Sequence, residues 1–137
     1  MALIIPTASE ATLVNFTLGA VTPGNQQLKL FVNNVTPTDD TLVAAGFTEM
    51  STHGYAEKVL TKTSWVTTPN AGAAASSVYA TQTWTFTAAA AVLVYGYYVL
   101  DATSGLLLWF EKFAAAKTVE NNGDQIIITP AFTGSKV

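Results

Sequence analysis

Apolar and polar positions alternate with a period of two along much of this chain. From Gln27 to Asn33, Leu28, Leu30 and Val32 fall on one face, with Lys29 and Phe31 on the other. That pattern predicts a strand. Tyr55 to Leu60 predicts a second strand with Glu57 outward, and Lys62 to Thr67 a third with Trp65 inward. Tyr79 to Thr87 alternates most clearly: Thr81, Thr83, Thr85 and Thr87 share one face, and Ala80, Gln82, Trp84 and Phe86 the other. Val92 to Leu100 is apolar on both faces, as a central strand covered on two sides must be. Gly105 to Phe113 returns as its hairpin partner across the loop Asp101-Ala-Thr-Ser-Gly105. Gln125 to Thr129 is a last short strand, ended by Pro130, which cannot donate to a ladder.

Turn residues recur at short spacing between these runs: Val21-Thr-Pro-Gly-Asn25, Asn33-Asn34 with Pro37, Pro69-Asn-Ala-Gly72 and Asn121-Asn-Gly-Asp124. Two places have helical character. Glu10 to Leu18 reads as a short turn behind Ser9 or, from the alternation in Ala11-Thr-Leu-Val-Asn-Phe-Thr-Leu18, as a strand. Asp39 to Ala45 reads as one turn capped by Thr38, with Asp39 and Asp40 at the positive end of its dipole. Asn70 to Ser77, built of small residues, reads as a loop. The fold class expected is all-β: a single-domain antiparallel β-sandwich over residues 1–137, jelly-roll-like in one version, with at most one or two short helical turns. Residues 1–20 fit an N-terminal arm or a first strand.

Composition narrows the function. Half of the 137 residues are hydrophobic and only 11% are charged, against roughly 25% in an ordinary soluble domain. The mean hydropathy is +0.34, yet no apolar run reaches the roughly 18 residues of a membrane span. All six cationic side chains are lysines and the net charge is −3, which argues against nucleic acid as a partner. Without cysteine there is no disulfide framework and no thiolate chemistry. Met1-Ala-Leu-Ile-Ile-Pro6 has no basic n-region and does not read as a secretory signal. A surface this poor in charge suits a protein that works inside an assembly.

Candidate chemistry is sparse. His53 is the only imidazole, and without a Gly-x-Ser-x-Gly elbow it reads as a turn residue with a local hydrogen bond. Asn121 to Asp124 and Asp39-Asp40 are the oxygen-rich clusters, and both read as turn chemistry rather than as a calcium loop. One histidine and no cysteine do not make a zinc site. Glu49, Glu57, Asp101 and Glu111 have no spacing that pairs them as glycosidase acids. The expectation is therefore no catalytic residue, no cofactor and no metal. The aromatics read as core or interface, and the alternative is stacking on sugar rings. The expected interface comprises Leu3, Ile4 and Ile5 at the N-terminus with Tyr95, Tyr97, Tyr98, Trp109 and Phe110 on the two-sided hairpin.

Several phrases in order carry a resemblance: Leu28-Lys-Leu-Phe-Val-Asn-Asn-Val-Thr-Pro37, Phe47-Thr-Glu49, His53-Gly-Tyr-Ala56 with Trp65, Thr83-Trp-Thr-Phe86, Val94-Tyr-Gly-Tyr-Tyr98, and Asn122-Gly-Asp124 with Ile128-Thr-Pro130. Over residues 1 to 132 the layout resembles small virion structural proteins of tailed bacteriophages, of the capsid cement or decoration kind. The resemblance implies an all-β protein made in the bacterial cytoplasm and seated on the capsid surface of the virion. It also implies a homo-oligomer, often a trimer, that contacts the major capsid protein and bridges its subunits. The alternative is a tail or head-fibre component that binds host-surface glycan.

Overall fold

The computed structural model describes residues 5–20, 22–36, 43–68, 75–87 and 90–133, apart from the side chains of Ala8 and Thr17. In chain order the elements are α1 (Thr7–Thr17), β1 (Gln26–Phe31), β2 (Lys58–Leu60), β3 (Val66–Thr68) and β4 (Ser76–Val78). They continue with β5 (Gln82–Thr85), β6 (Val92–Asp101), β7 (Leu107–Val119), β8 (Gln125–Ile128) and β9 (Ala131–Thr133). Short 3₁₀ turns lie at Ala44–Gly46 and Lys62–Ser64. The strands form three antiparallel sheets: β2-β1-β6-β7, β3-β4-β9 and β5-β8. The protein is thus mostly β, and the two-stranded sheet packs on the large one through a shared core. Among the described residues this grouping of four, three and two strands takes the place of a jelly roll's paired sheets.

The period-two reading holds in β1 and from Gly96 to Leu100 of β6, while a register shift between Val94 and Gly96 puts Val94 in the same core as Tyr97 and turns Tyr95 to the other. Leu28, Leu30, Tyr97 and Val99 are buried toward one side, and there Trp84, Phe86, Ile126 and Ile128 of the β5-β8 region meet them. Phe31, Tyr98, Leu100 and Phe110 are buried toward the other, under Val35 and Phe47. A bulge in β7 makes this two-sided packing work. Val99 pairs with Trp109 but Leu100 with Leu107, so Leu108 is an extra residue. Leu108 and Trp109 then both enter the first core, while Leu107 and Phe110 enter the second. At Gly96 a side chain has no room: a β-carbon there would lie 2.6 Å from the ring of Phe31 and against the Glu111 carbonyl.

The hairpin loop follows its predicted chemistry. Asp101 is buried and accepts from Ser104 N–H at 2.8 Å, Ser104 Oγ–H at 2.7 Å and Gly24 N–H at 3.0 Å. Burial works to raise its pKa, but these bonds, the Ser104 hydroxyl first, outweigh burial and hold the carboxyl below its usual range. Gly105 closes the loop at φ 69°.

Four expectations change. Residues 7–17 are neither arm nor strand but an α-helix of 11 residues, longer than the one or two short turns expected. Pro6 rather than Ser9 stands at its N-cap, and Gly19 at φ 71° follows its end. Leu13 and Phe16, three apart, turn toward the core, and that contact overrides the alternating pattern. Tyr79 to Thr87 is not one strand, because 79–81 form a bend between two sheets. There Gln82 Nε2–H donates to the carbonyls of Ala80 and Thr81, and Tyr79 Oη accepts from Thr61 N–H. Ser76 and Ser77, expected in a loop, lie in β4. Lys62–Ser64, expected as strand, is a 3₁₀ turn, with Lys62 N–H donating to Asn25 Oδ1. The turn expected from Asp39 to Ala45 lies partly outside the described residues, and Thr38, Asp39 and Asp40 belong to that part.

Candidate functional site

The residues expected at an interface are the first to place. Tyr97, Tyr98, Trp109 and Phe110 are all buried by the chain itself, which corrects their assignment to a surface. Phe47 is the physical reason on one side: it stacks on Tyr98 with ring centroids 4.7 Å apart and lies 5.2 Å from Phe110. Lys112 Nζ closes the same side by donating to Asn34 Oδ1 and to the Val35 carbonyl. Burial, then the charge of Glu49, pushes the Tyr98 hydroxyl up to about 12. On the opposite face Tyr97 Oη–H donates to Glu111 Oε2 at 2.5 Å. Tyr95 and Ile5 are half-buried, while Leu3 and Ile4 lie outside the described residues.

The titratable candidates are tied into local structure. His53 adopts φ 60° in its turn, and its ring lies 2.5 Å from Thr52 Oγ1 and 2.7 Å from the Ala90 carbonyl. This is the turn histidine expected. Lys29 bridges Glu49 at 3.0 Å and Glu57 at 2.8 Å. Its burial favours the neutral form, but the bonds to Glu57 and Glu49 prevail and raise its pKa. Tyr55 Oη–H donates to Glu49, and the same oxygen accepts from Leu30 N–H. Glu57 points away from the core of Leu28 and Leu30, as expected, and there meets Lys29 and Gln27. Asp124 accepts from Glu120 and Asn121 N–H, which hold its carboxyl below the usual range. Among the described residues, no three histidine or carboxylate side chains gather as a metal site, and no helix is long and apolar enough to cross a membrane.

Among the described residues, an open groove lies beside α1. It has two adjoining parts of about 500 and 490 Å³ that share Leu13, Phe16 and Phe132. The inner part runs between α1, the bulge of β7 and the small sheet. Thr67, Ser77 and Phe132 are register neighbours in that sheet and line the groove with Trp65, Leu108 and Trp109. The outer part runs along the helix past Ile5, Glu10, Val14 and Leu18. Val14 is 55% exposed and Leu18 75%. They stand four residues apart, Val14 on α1 and Leu18 at its C-cap, so they form one stripe rather than scattered apolar residues.

Polar groups in the inner part differ in how they are satisfied. Trp65 Nε1–H donates to Gln26 Oε1 at 2.9 Å, and Gln26 Nε2–H to the Gly24 carbonyl at 3.0 Å. The Thr67 and Ser77 hydroxyls bond each other at 3.0 Å. Trp109 Nε1–H, buried, has no partner among the described residues. Sequence reading assigned Trp65 inward but missed the groove. The available signal was the i, i+3 pair Leu13 and Phe16, set against Val14 and Leu18 on the far side of the same segment. No aromatic residue of the chain, all of which are described, is exposed. No protein-family model matches the sequence, and no curated protein matches it either.

Proposed function

We propose that this chain is a non-catalytic structural protein of a tailed-phage virion, of the capsid cement or decoration kind. In this reading it sits on the head as a homo-oligomer, a trimer by the resemblance, and bridges subunits of the major capsid protein. The observation that carries the proposal is the apolar groove beside α1, set on a frame whose other large face is mostly covered by the chain's own residues. An assembly protein needs a rigid body and a limited apolar contact surface, and these two regions supply them. The side chains that chemistry would need are engaged elsewhere: His53 in its turn, Glu49 and Glu57 with Lys29, and Glu111 with Tyr97. The glycan-binding alternative calls for exposed aromatic rings, and it is weakened because nine of the fifteen aromatics are buried and the other six half-buried.

Mass spectrometry of purified virions tests the proposal. Peptides of this chain are expected at high copy number, in fixed ratio to the major capsid protein. Their absence from intact particles would contradict it.

A further inference from the structure

The turn between β7 and β8, Asn121-Asn-Gly-Asp124, carries chemistry that the assembly reading does not use. Asparagine is a thermolabile residue. The main-chain nitrogen of the following residue can attack its side-chain carbonyl. Glycine in that following position has no side chain to crowd the five-membered ring that forms. Asn122 is the chain's single asparagine followed by glycine. Asn122 and Gly123 are both exposed, and Gly123 stands at φ 93°.

The bonds around the turn set Asn122 apart and define what has to open. Asn121 is held twice: its N–H donates to Asp124 Oδ2 at 2.8 Å, and its carbonyl accepts from Asp124 N–H at 3.1 Å. The Asn122 side chain has no hydrogen-bond partner among the described residues. The attacking nitrogen would be that of Gly123. Its N–H donates to the Phe86 carbonyl at 2.8 Å, and Phe86 N–H donates back to the Asp124 carbonyl at 2.9 Å. These two bonds close the end of the β5-β8 pair, and Phe86 is 1% exposed in the core beneath. A nitrogen whose hydrogen is bonded in this way is held back from attack, so reaction waits on local opening of the turn.

We propose that Asn122 is a site of spontaneous deamidation, gated by the bond from Gly123 to Phe86, and that its product loosens the end of the β5-β8 pair. Gly123 N bonds to Asn122 Cγ, the Cγ–Nδ2 bond breaks, and ammonia leaves with the proton that the Gly123 nitrogen gives up. Water then opens the ring at either of its carbonyls. One product is aspartate at 122. The other routes the main chain through the side-chain carbons and lengthens it by one atom. Both add a negative charge beside Glu120 and Asp124, and the longer chain displaces Gly123 N–H from the Phe86 carbonyl. The inference concerns the turn alone and holds whether or not the protein is found in virions.

The test incubates the full chain in mildly alkaline buffer, folded and in guanidinium chloride, and follows the tryptic peptide Thr118 to Lys136 by mass spectrometry. Acid is expected at 122 ahead of every other asparagine, roughly tenfold or more slower in the folded chain than in the unfolded one. Asp124→Ala, which frees the Glu120 and Asn121 donors, should narrow that gap several-fold. If that variant fails to fold, the parent chain, folded against unfolded, still decides. Asn122→Gln, at an exposed position, should fold as the parent does and leave 122 unconverted. The converted fraction, separated by anion exchange, should show faster amide exchange at Phe86 and Gly123 than fresh protein. Three results would overturn the inference: another asparagine reacting first in the folded chain, equal rates in the folded and unfolded chains, or unchanged exchange at Phe86 after conversion. The first would remove the site, the second the gate and the third the loosening.

Discussion

The two faces of the four-stranded sheet meet different fates. Toward one, Phe31, Tyr98, Leu100, Leu107 and Phe110 are closed over by Val35 and Phe47, and Lys112 fastens the covering segment. Toward the other, the β5-β8 pair covers the middle of the sheet, but at the α1 end a groove remains beside Trp109. Both faces carry apolar residues in sequence. What separates them is the cover. A coil segment carrying one aromatic ring follows the contour of the first face. A straight helix offering Leu13 and Phe16 only bridges part of the second. An apolar strand pattern therefore tells that a face will be covered, not whether the chain has enough of its own residues in the right place to do it.

Substitutions can break this comparison, and the largest effect is expected in the closed part of the first core. Trp84 is buried there, and its Nε1–H donates to the Ala56 carbonyl at 2.7 Å. Trp84→Ala should cost about 3–5 kcal/mol in urea unfolding. An unchanged midpoint would remove the β5-β8 pair from the account of what holds the sheet. Gly96→Val comes next, at about 1–3 kcal/mol or more. The added carbons meet the Glu111 backbone, which cannot yield as a flexible side chain would. Thermal unfolding reads this directly, and tolerance of valine would mean that the covered face is looser than described.

Asp101→Ala should cost about 1–3 kcal/mol at neutral pH, because it strands the Ser104 and Gly24 donors. The carboxyl's folded pKa lies below its ordinary value. Its contribution is therefore complete above the unfolded value, about 3.9, and is lost as pH falls through the lower folded one. The gap in stability between the parent and the variant should accordingly close only in strong acid; a gap independent of pH would show that packing, not ionisation, sets it. The smallest effect belongs to the open region. Val14→Ser, on the exposed stripe, should move stability by no more than about 0.5 kcal/mol while weakening any contact made through α1. A large loss of stability there would mean that the helix is held more tightly than its exposed side chains suggest.

Much of the frame was legible in the sequence. The alternation around Leu28 and Leu30, the inward face of Trp84 and the two-sided apolar run at Val92 to Leu100 each became the element they predicted. So did the turn chemistry of Asp101 and Asp124, since these depend on neighbours within a few residues. What was not legible depends on distant ones. The helix is decided by two core contacts of Leu13 and Phe16 against a local pattern that suits a strand equally well. The bulge at Leu108 cannot be seen in a run of three leucines, yet it decides which core receives Trp109. Phe47 covers Tyr98 from 51 positions away, so Tyr97, Tyr98, Trp109 and Phe110 looked like an unfilled surface when only their own strands were considered. The groove was hidden for the same reason: it is a gap between elements, and no single segment encodes it.

The most direct test of the proposed virion role is hydrogen exchange of the chain in purified particles compared with the free protein. Slower exchange is expected in α1, β3 and β9, around the groove, with the segment from 43 to 50 over Tyr98 and Phe110 unchanged. Protection centred on that segment instead, or none anywhere, would contradict the claim that the open face is the working one.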